Sequence, residues 1–138
     1  FTILGCGSSL GSPWITNYRG DLKKNPKNIR TRCCAHIQYK DLSILIDTSP
    51  DIKNQFLKNN IKDLPIFFIT HHHADATSGL PELRPFYFKY GKRIKIYSNK
   101  ETISKLRKTY QYCFEPIMGY KPFLVSKRIF SPSTSIIT

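Results

Sequence analysis

The 138-residue sequence contains no apolar run approaching the ~18 residues needed to cross a bilayer. Nothing at its N-terminus resembles a charged stretch, an apolar core and a small-residue cleavage site. A membrane span and a secretory leader are therefore not expected, and the cytoplasm is the expected compartment. No C-x-x-C pair occurs among Cys6, Cys33, Cys34 and Cys113, so a zinc ribbon or knuckle cannot be assembled. Adjacent Cys33 and Cys34 would seldom both form bridges, so reduced thiols are expected, with Cys34 and Cys113 serving as small apolar core residues. Repeats and low-complexity segments are absent. Acidic residues are scarce, 9 against 22 Lys and Arg, which leaves a net charge of +13.

What is present points to a folded chain. The 40% apolar and 13% aromatic content excludes intrinsic disorder, and the length suits one domain over 1–138. The basic surplus is uneven: Arg19, Lys23, Lys24, Lys27, Arg30 and Arg32 face the single Asp21 between positions 19 and 32. That aperiodic segment reads as an exposed loop, a solvated face or a rim that attracts phosphate. Few aromatic residues interleave it, whereas single-strand binders need stacking platforms.

Short β-type runs separated by turns and two helical patterns indicate an α/β or α+β class. Positions 1–4 read as a strand running into the flexible Gly5-Cys6-Gly7-Ser8-Ser9 turn. Runs at 34–39 and 42–46 flank the polar pair Lys40-Asp41 and predict a hairpin. Ser49 as cap, Pro50 at the first helical position and Ile52, Phe56 and Leu57 on one face predict a helix through Asn59. Ile66-Phe67-Phe68-Ile69 predicts a strand buried on both faces. After a further strand at 94–97, Asn99 caps a helix whose apolar residues are Ile103, Leu106, Tyr110 and Cys113.

The chemistry lies in Thr70-His71-His72-His73-Ala74-Asp75, directly after a buried strand. His71 and His73 can turn their imidazoles to one side while Asp75 approaches from the next turn. Two neutral imidazoles and a carboxylate suit zinc, manganese or iron.

This stretch resembles the metallo-β-lactamase superfamily, marked by His-x-His-x-Asp-His after a buried strand. The likeness extends to Gly5-Cys6-Gly7-Ser8-Ser9, Arg30-Thr31-Arg32-Cys33-Cys34, Leu45-Ile46-Asp47-Thr48 and Gly79-Leu80-Pro81-Glu82-Leu83-Arg84. Together these are similar to the phosphoribosyl 1,2-cyclic phosphate phosphodiesterase branch. The resemblance covers positions 1 to about 97 and implies the N-terminal half of an αββα sandwich. It also implies a site in which His71 and His73 bind a first metal and Asp75 binds a second and orients water. Asp47 would brace a ligating imidazole from behind, and Arg84 would help attract an anionic substrate. Zinc or manganese is the implied cofactor, and a small phosphate ester the implied substrate.

The sequence departs from that pattern. Ala76 stands where the family has a second-metal histidine, and an alanine methyl has no lone pair to donate. The family's later ligands have no counterpart, since the remaining histidine, His36, lies upstream. The loop at 14–28 lacks cysteines for an accessory zinc. The expectation is a phosphodiesterase-type hydrolase by ancestry whose metal binding is weak and whose activity is not retained in this chain alone. The fold normally needs roughly 200 residues or more, within the range of one domain, so the chain is expected to be its front half. The alternatives are a non-catalytic or degenerate basic module, or a relative of nucleases that trim transfer RNA precursors, for which +13 would favour phosphate contacts.

Overall fold

The structure is a computed structural model and describes residues 1–16, 25–63 and 65–129. The basic positions Arg19, Lys23 and Lys24 lie outside them. One sheet contains β1 (Thr2–Gly5), β2 (Cys34–Tyr39), β3 (Leu42–Ile46), β4 (Ile66–Phe68), β5 (Ile94–Ser98) and β6 (Leu124–Arg128), in that spatial order. The first three strands pair antiparallel, and β3 to β6 pair parallel. The connections carry α1 (Ile52–Lys58), α2 (Ala74–Thr77), α3 (Arg84–Tyr90), α4 (Lys100–Thr109) and α5 (Gln111–Phe114), with 3-10 turns at Pro26–Asn28 and Leu80–Leu83. Among the described residues no helix is long and apolar enough to cross a membrane.

Residue alternation explains which sheet face is covered. Leu45, Phe67, Ile94, Ile96 and Leu124 are buried, while their strand neighbours Ile44, Ile46, Phe68 and Val125 are half-buried and Lys95 is exposed. The buried set packs with Ile52, Phe56, Leu80, Leu83, Leu106 and Phe114 from the connecting segments. Each such side chain contributes roughly 1.5–3 kcal/mol on removal from water. The hairpin forms over the expected residues, with Tyr39 opposite Leu42 and Lys40 in the left-handed region at φ 51°.

The two predicted helices have different outcomes in detail. In α4 the Asn99 Oδ1 accepts the Thr102 N–H at 2.8 Å, and Arg107 and Lys108 occupy the last turn, where the helix dipole favours cations. The helix ends at Thr109, so Cys113 falls in the separate α5. The first helix begins at Ile52, two residues after Pro50. Ser49 does not cap it; its hydroxyl accepts the Asp51 N–H and donates to Gln55 Oε1. Leu57 is 73% exposed while Gln55 is buried. The buried amide is tied down on its other side, since Gln55 Nε2 donates to Thr31 Oγ1 at 3.0 Å and to the Arg32 carbonyl at 2.9 Å. That network fixes which face of α1 turns inward. A third helix, α3, and the strand β6 complete the described chain without a counterpart in the sequence reading.

The turn after β3 is fastened to the segment after β4. Thr48 N–H donates to the Ala76 carbonyl and Gly79 N–H to the Thr48 carbonyl, at 2.8 and 2.9 Å. The approach is so close that a Cβ on Gly79 would lie 2.3 Å from the Ser49 carbonyl and 2.7 Å from Ile52 Cγ2. Gly79→Ala should therefore destabilise the fold by about 1–3 kcal/mol through overpacking, measured as a shift in the urea midpoint. An unchanged midpoint would show that the segment relaxes without cost. Cys34 and Cys113 are buried, and burial pushes their thiols up to about 12 and about 11. Cys6 and Cys33 are exposed. Titration with a thiol reagent at neutral pH should modify Cys6 and Cys33 promptly and the other two only on unfolding.

Candidate metal centre

Parallel pairing brings the ends of β3 and β4 side by side, with Ile46 opposite Phe68. The residues just beyond, Asp47 and the Thr70–His73 stretch, therefore emerge at the same edge, where open parallel sheets place their sites. Asp47 turns there with φ 64°, a left-handed conformation that costs a non-glycine residue on the order of 1 kcal/mol and that aspartate tolerates better than most. The turn aims its carboxylate at β4. Asp47 Oδ1 accepts the Thr70 N–H at 2.8 Å, and the Thr70 hydroxyl lies 3.0 and 2.8 Å from the two carboxylate oxygens. Burial raises the Asp47 pKa above the ordinary carboxylate value, while the Thr70 N–H and hydroxyl pull it back down.

Thr70 Oγ1 also lies 2.9 Å from His71 Nδ1. A hydroxyl has one proton, and ionised Asp47 can only accept. The Thr70 proton goes to the carboxylate, so its oxygen accepts from His71 and Nδ1 carries the imidazole hydrogen. His71 Nε2 is left with a free lone pair, and it lies 3.7 Å from Asp75 Oδ1.

His73 completes the cluster. Its backbone begins α2, with its carbonyl accepting from Ala76 N–H and Thr77 Oγ1, while its ring stays exposed. The His71 and His73 rings are 5.0 Å apart and nearly perpendicular. His72 packs its ring against His73 at 4.8 Å. One ligand atom from each of His71, His73 and Asp75 lies within 4.8 Å of the others, the one such grouping of His, Cys, Asp or Glu among the described residues. Tetrahedral donors held roughly 2.1 Å from one ion lie about 3.4 Å apart. The set must therefore draw in by up to about 1.4 Å, a movement asked chiefly of the exposed His73 ring. Two imidazoles and a carboxylate suit zinc or manganese, and the residues present fit such an ion.

Ala76 is 2% exposed and packed, so position 76 is closed to ligation by its own chain. His36 bonds Ser43 Oγ at 2.8 Å within the hairpin. The Arg84 guanidinium lies over the rings of Phe88 and Tyr120 and is not part of the cluster. Asp47 reaches the cluster through a hydroxyl rather than directly, so Thr70 is the residue that sequence reasoning missed. Its position immediately before His71 was the available signal, but its role appears only once β3 and β4 are paired.

A layered α/β unit with a His/His/Asp cluster at the C-terminal edge of parallel strands defines a class that the comparisons with known proteins identify. Residues 43–129 match the family described as the beta-lactamase superfamily domain, and the chain belongs to the metallo-β-lactamase superfamily. It is similar to a solved diphosphatase of the PhnP family, with 31% identity, a TM-score of 0.81 and 94% of this chain covered against 49% of that one. Zinc-bound PqqB from Methylobacterium extorquens superposes with a TM-score of 0.70 at 16% identity, covering 92% of this chain and 44% of its own. A protein of Porphyromonas gingivalis named octanoyltransferase is 26% identical over 114 residues, 81% of this chain but 23% of its own length. The chain thus spans about half the length of these solved structures and about a quarter of that relative.

Thr70→Val keeps the shape of the side chain and removes the hydroxyl, leaving His71 Nδ1 and Asp47 without their shared partner. Zinc affinity, measured by competition with a chelating dye, should fall about 10–100-fold. Affinity equal to that of the unsubstituted chain would show that Thr70 does not orient the imidazole.

Proposed function

We propose that this chain supplies the first metal-binding half of a metal-dependent phosphoester hydrolase, similar in chemistry to the PhnP-family diphosphatase it resembles. The observation that carries the reading is the convergence of one ring nitrogen each from His71 and His73 and an Asp75 oxygen within 4.8 Å, with His71 Nε2 3.7 Å from Asp75 Oδ1 and the His71 tautomer set by Thr70 and Asp47. When bound, a zinc or manganese ion supplies Lewis acidity toward a phosphoryl oxygen and lowers the pKa of a water. His71 and His73 present neutral nitrogens to that ion. Asp75, with its side chain 25% exposed, supplies the third donor of the set. The substrate in this reading is a small phosphate ester or diphosphate, attracted by the +13 net charge, and the compartment is the cytoplasm.

Three donors meet the number a catalytic zinc takes from its protein, yet a two-metal centre needs more than this chain's cluster provides. Dialysed against zinc or manganese, the chain should retain less than one ion, and His71→Ala and His73→Ala should each reduce that content at least tenfold. Metal content in both variants equal to that of the unsubstituted chain would overturn the assignment. A protein carrying these residues with the remaining layers of the fold should hydrolyse bis(p-nitrophenyl) phosphate, and Asp75→Asn should remove that activity.

A further inference from the structure

A cavity of about 480 Å³ opens between α3 and the turn that joins α5 to β6, and none of the three clustered residues lines it. Its walls include Arg84, Tyr112, Ile117, Met118 and Tyr120. Arg84 occupies an unusual position in it. The guanidinium carbon lies 5.1 Å from the Phe88 ring centroid and 5.0 Å from that of Tyr120. Among the described residues no carboxylate lies within ion-pair distance of this arginine. Contact with these two rings uses the π surface of the guanidinium and leaves its in-plane fork of N–H donors. That fork matches a phosphate or carboxylate in bidentate fashion.

The rest of the cavity is apolar and open. Met118 is 97% exposed, Tyr120 53% and Tyr112 42%, although large side chains of this kind are ordinarily turned inward. The turn that carries them is fixed by its backbone, with Met118 at φ 48°, Gly119 at φ 81° and a bridge between Ile117 and Tyr120. A flexible thioether and two phenol rings form a surface on which a flat aromatic group can stack. Burial holds the Tyr112 phenol up at about 12, so its hydroxyl stays protonated near neutral pH. The volume falls within the range of about 300–1,000 Å³ typical of small-molecule sites.

We propose that this cavity binds a nucleotide, with the phosphate on the free edge of the Arg84 guanidinium and the base against Met118, Ile117 and the Tyr112 ring. An anion without a ring would leave the exposed apolar wall uncovered. A ring without an anion would leave the guanidinium fork unpaired. A nucleoside phosphate satisfies both, and the +13 charge of the chain favours its approach.

The test is calorimetric titration of the chain with adenosine 5′-monophosphate in the presence of EDTA, so that no ion at the histidine cluster contributes. Saturable binding of one nucleotide per chain is expected, weakened at least tenfold in Arg84→Gln. Because Arg84 also clamps the turn to α3, a second variant is needed that leaves packing untouched. Met118→Asp changes a side chain that is 97% exposed and sets a like charge at the mouth of the cavity, and it should weaken binding at least fivefold. Adenosine and inorganic phosphate should each bind at least tenfold more weakly than the nucleotide. Absence of saturable binding would overturn the proposal. So would unchanged affinity in both variants, or inorganic phosphate binding as tightly as the nucleotide.

Discussion

Parallel pairing of β3 with β4 is the constraint on which the site depends. It places Asp47 across from the first residues beyond β4, so that one carboxylate meets both the backbone N–H and the hydroxyl of Thr70. From there the hydroxyl fixes which nitrogen of His71 carries its hydrogen. The same edge is held from the other side by Thr48, whose hydrogen bond to Ala76 and close approach to Gly79 fasten α2 against the turn after β3. A register slip of one residue would reverse which side chains face the covered layer and which face the edge. Fold and candidate chemistry are therefore set by the same pairing.

Asp47 shows how such a site combines opposing costs. Its left-handed backbone and its burial are both unfavourable, and hydrogen bonds from Thr70 offset the desolvation of its charge. Strained, partly buried polar residues cluster where a function requires them. Here the strain falls on Asp47, which meets His71 through the Thr70 hydroxyl and is outside the His71/His73/Asp75 grouping.

Much of the fold was legible in the sequence because its signals are local. The hairpin needs only two β-type runs and a polar pair between them, and both strands fall on the expected residues. The α4 start follows from Asn99, whose amide oxygen does what the residue type suggests. Where tertiary contacts decide, local reading fails. Leu57 has the spacing of a core residue, but the buried amide of Gln55 turns α1 so that Leu57 faces solvent. The α3 segment carries Phe86, Tyr87 and Tyr90 three, four and seven positions after the buried Leu83, a helical period that went unread beside Pro85 and the additional aromatic Phe88. It is helical because Phe86 packs edge-on against Phe56 at 5.9 Å and Gly91 terminates it at φ 65°. The grouping of His71, His73 and Asp75 was legible because the three stand at alternate positions of one short segment. Thr70 was not, since its partner lies 23 positions away.

The central claim is that Asp47 and Thr70 hold His71 with its hydrogen on Nδ1 and its Nε2 lone pair directed into a metal site. Long-range proton–nitrogen NMR of histidine-labelled protein reads this directly. The account predicts a neutral His71 with protonated Nδ1 in the metal-free chain, and a change in the Nε2 resonance when zinc is added. A hydrogen on Nε2, or resonances of His71 and His73 that do not respond to zinc, would contradict it.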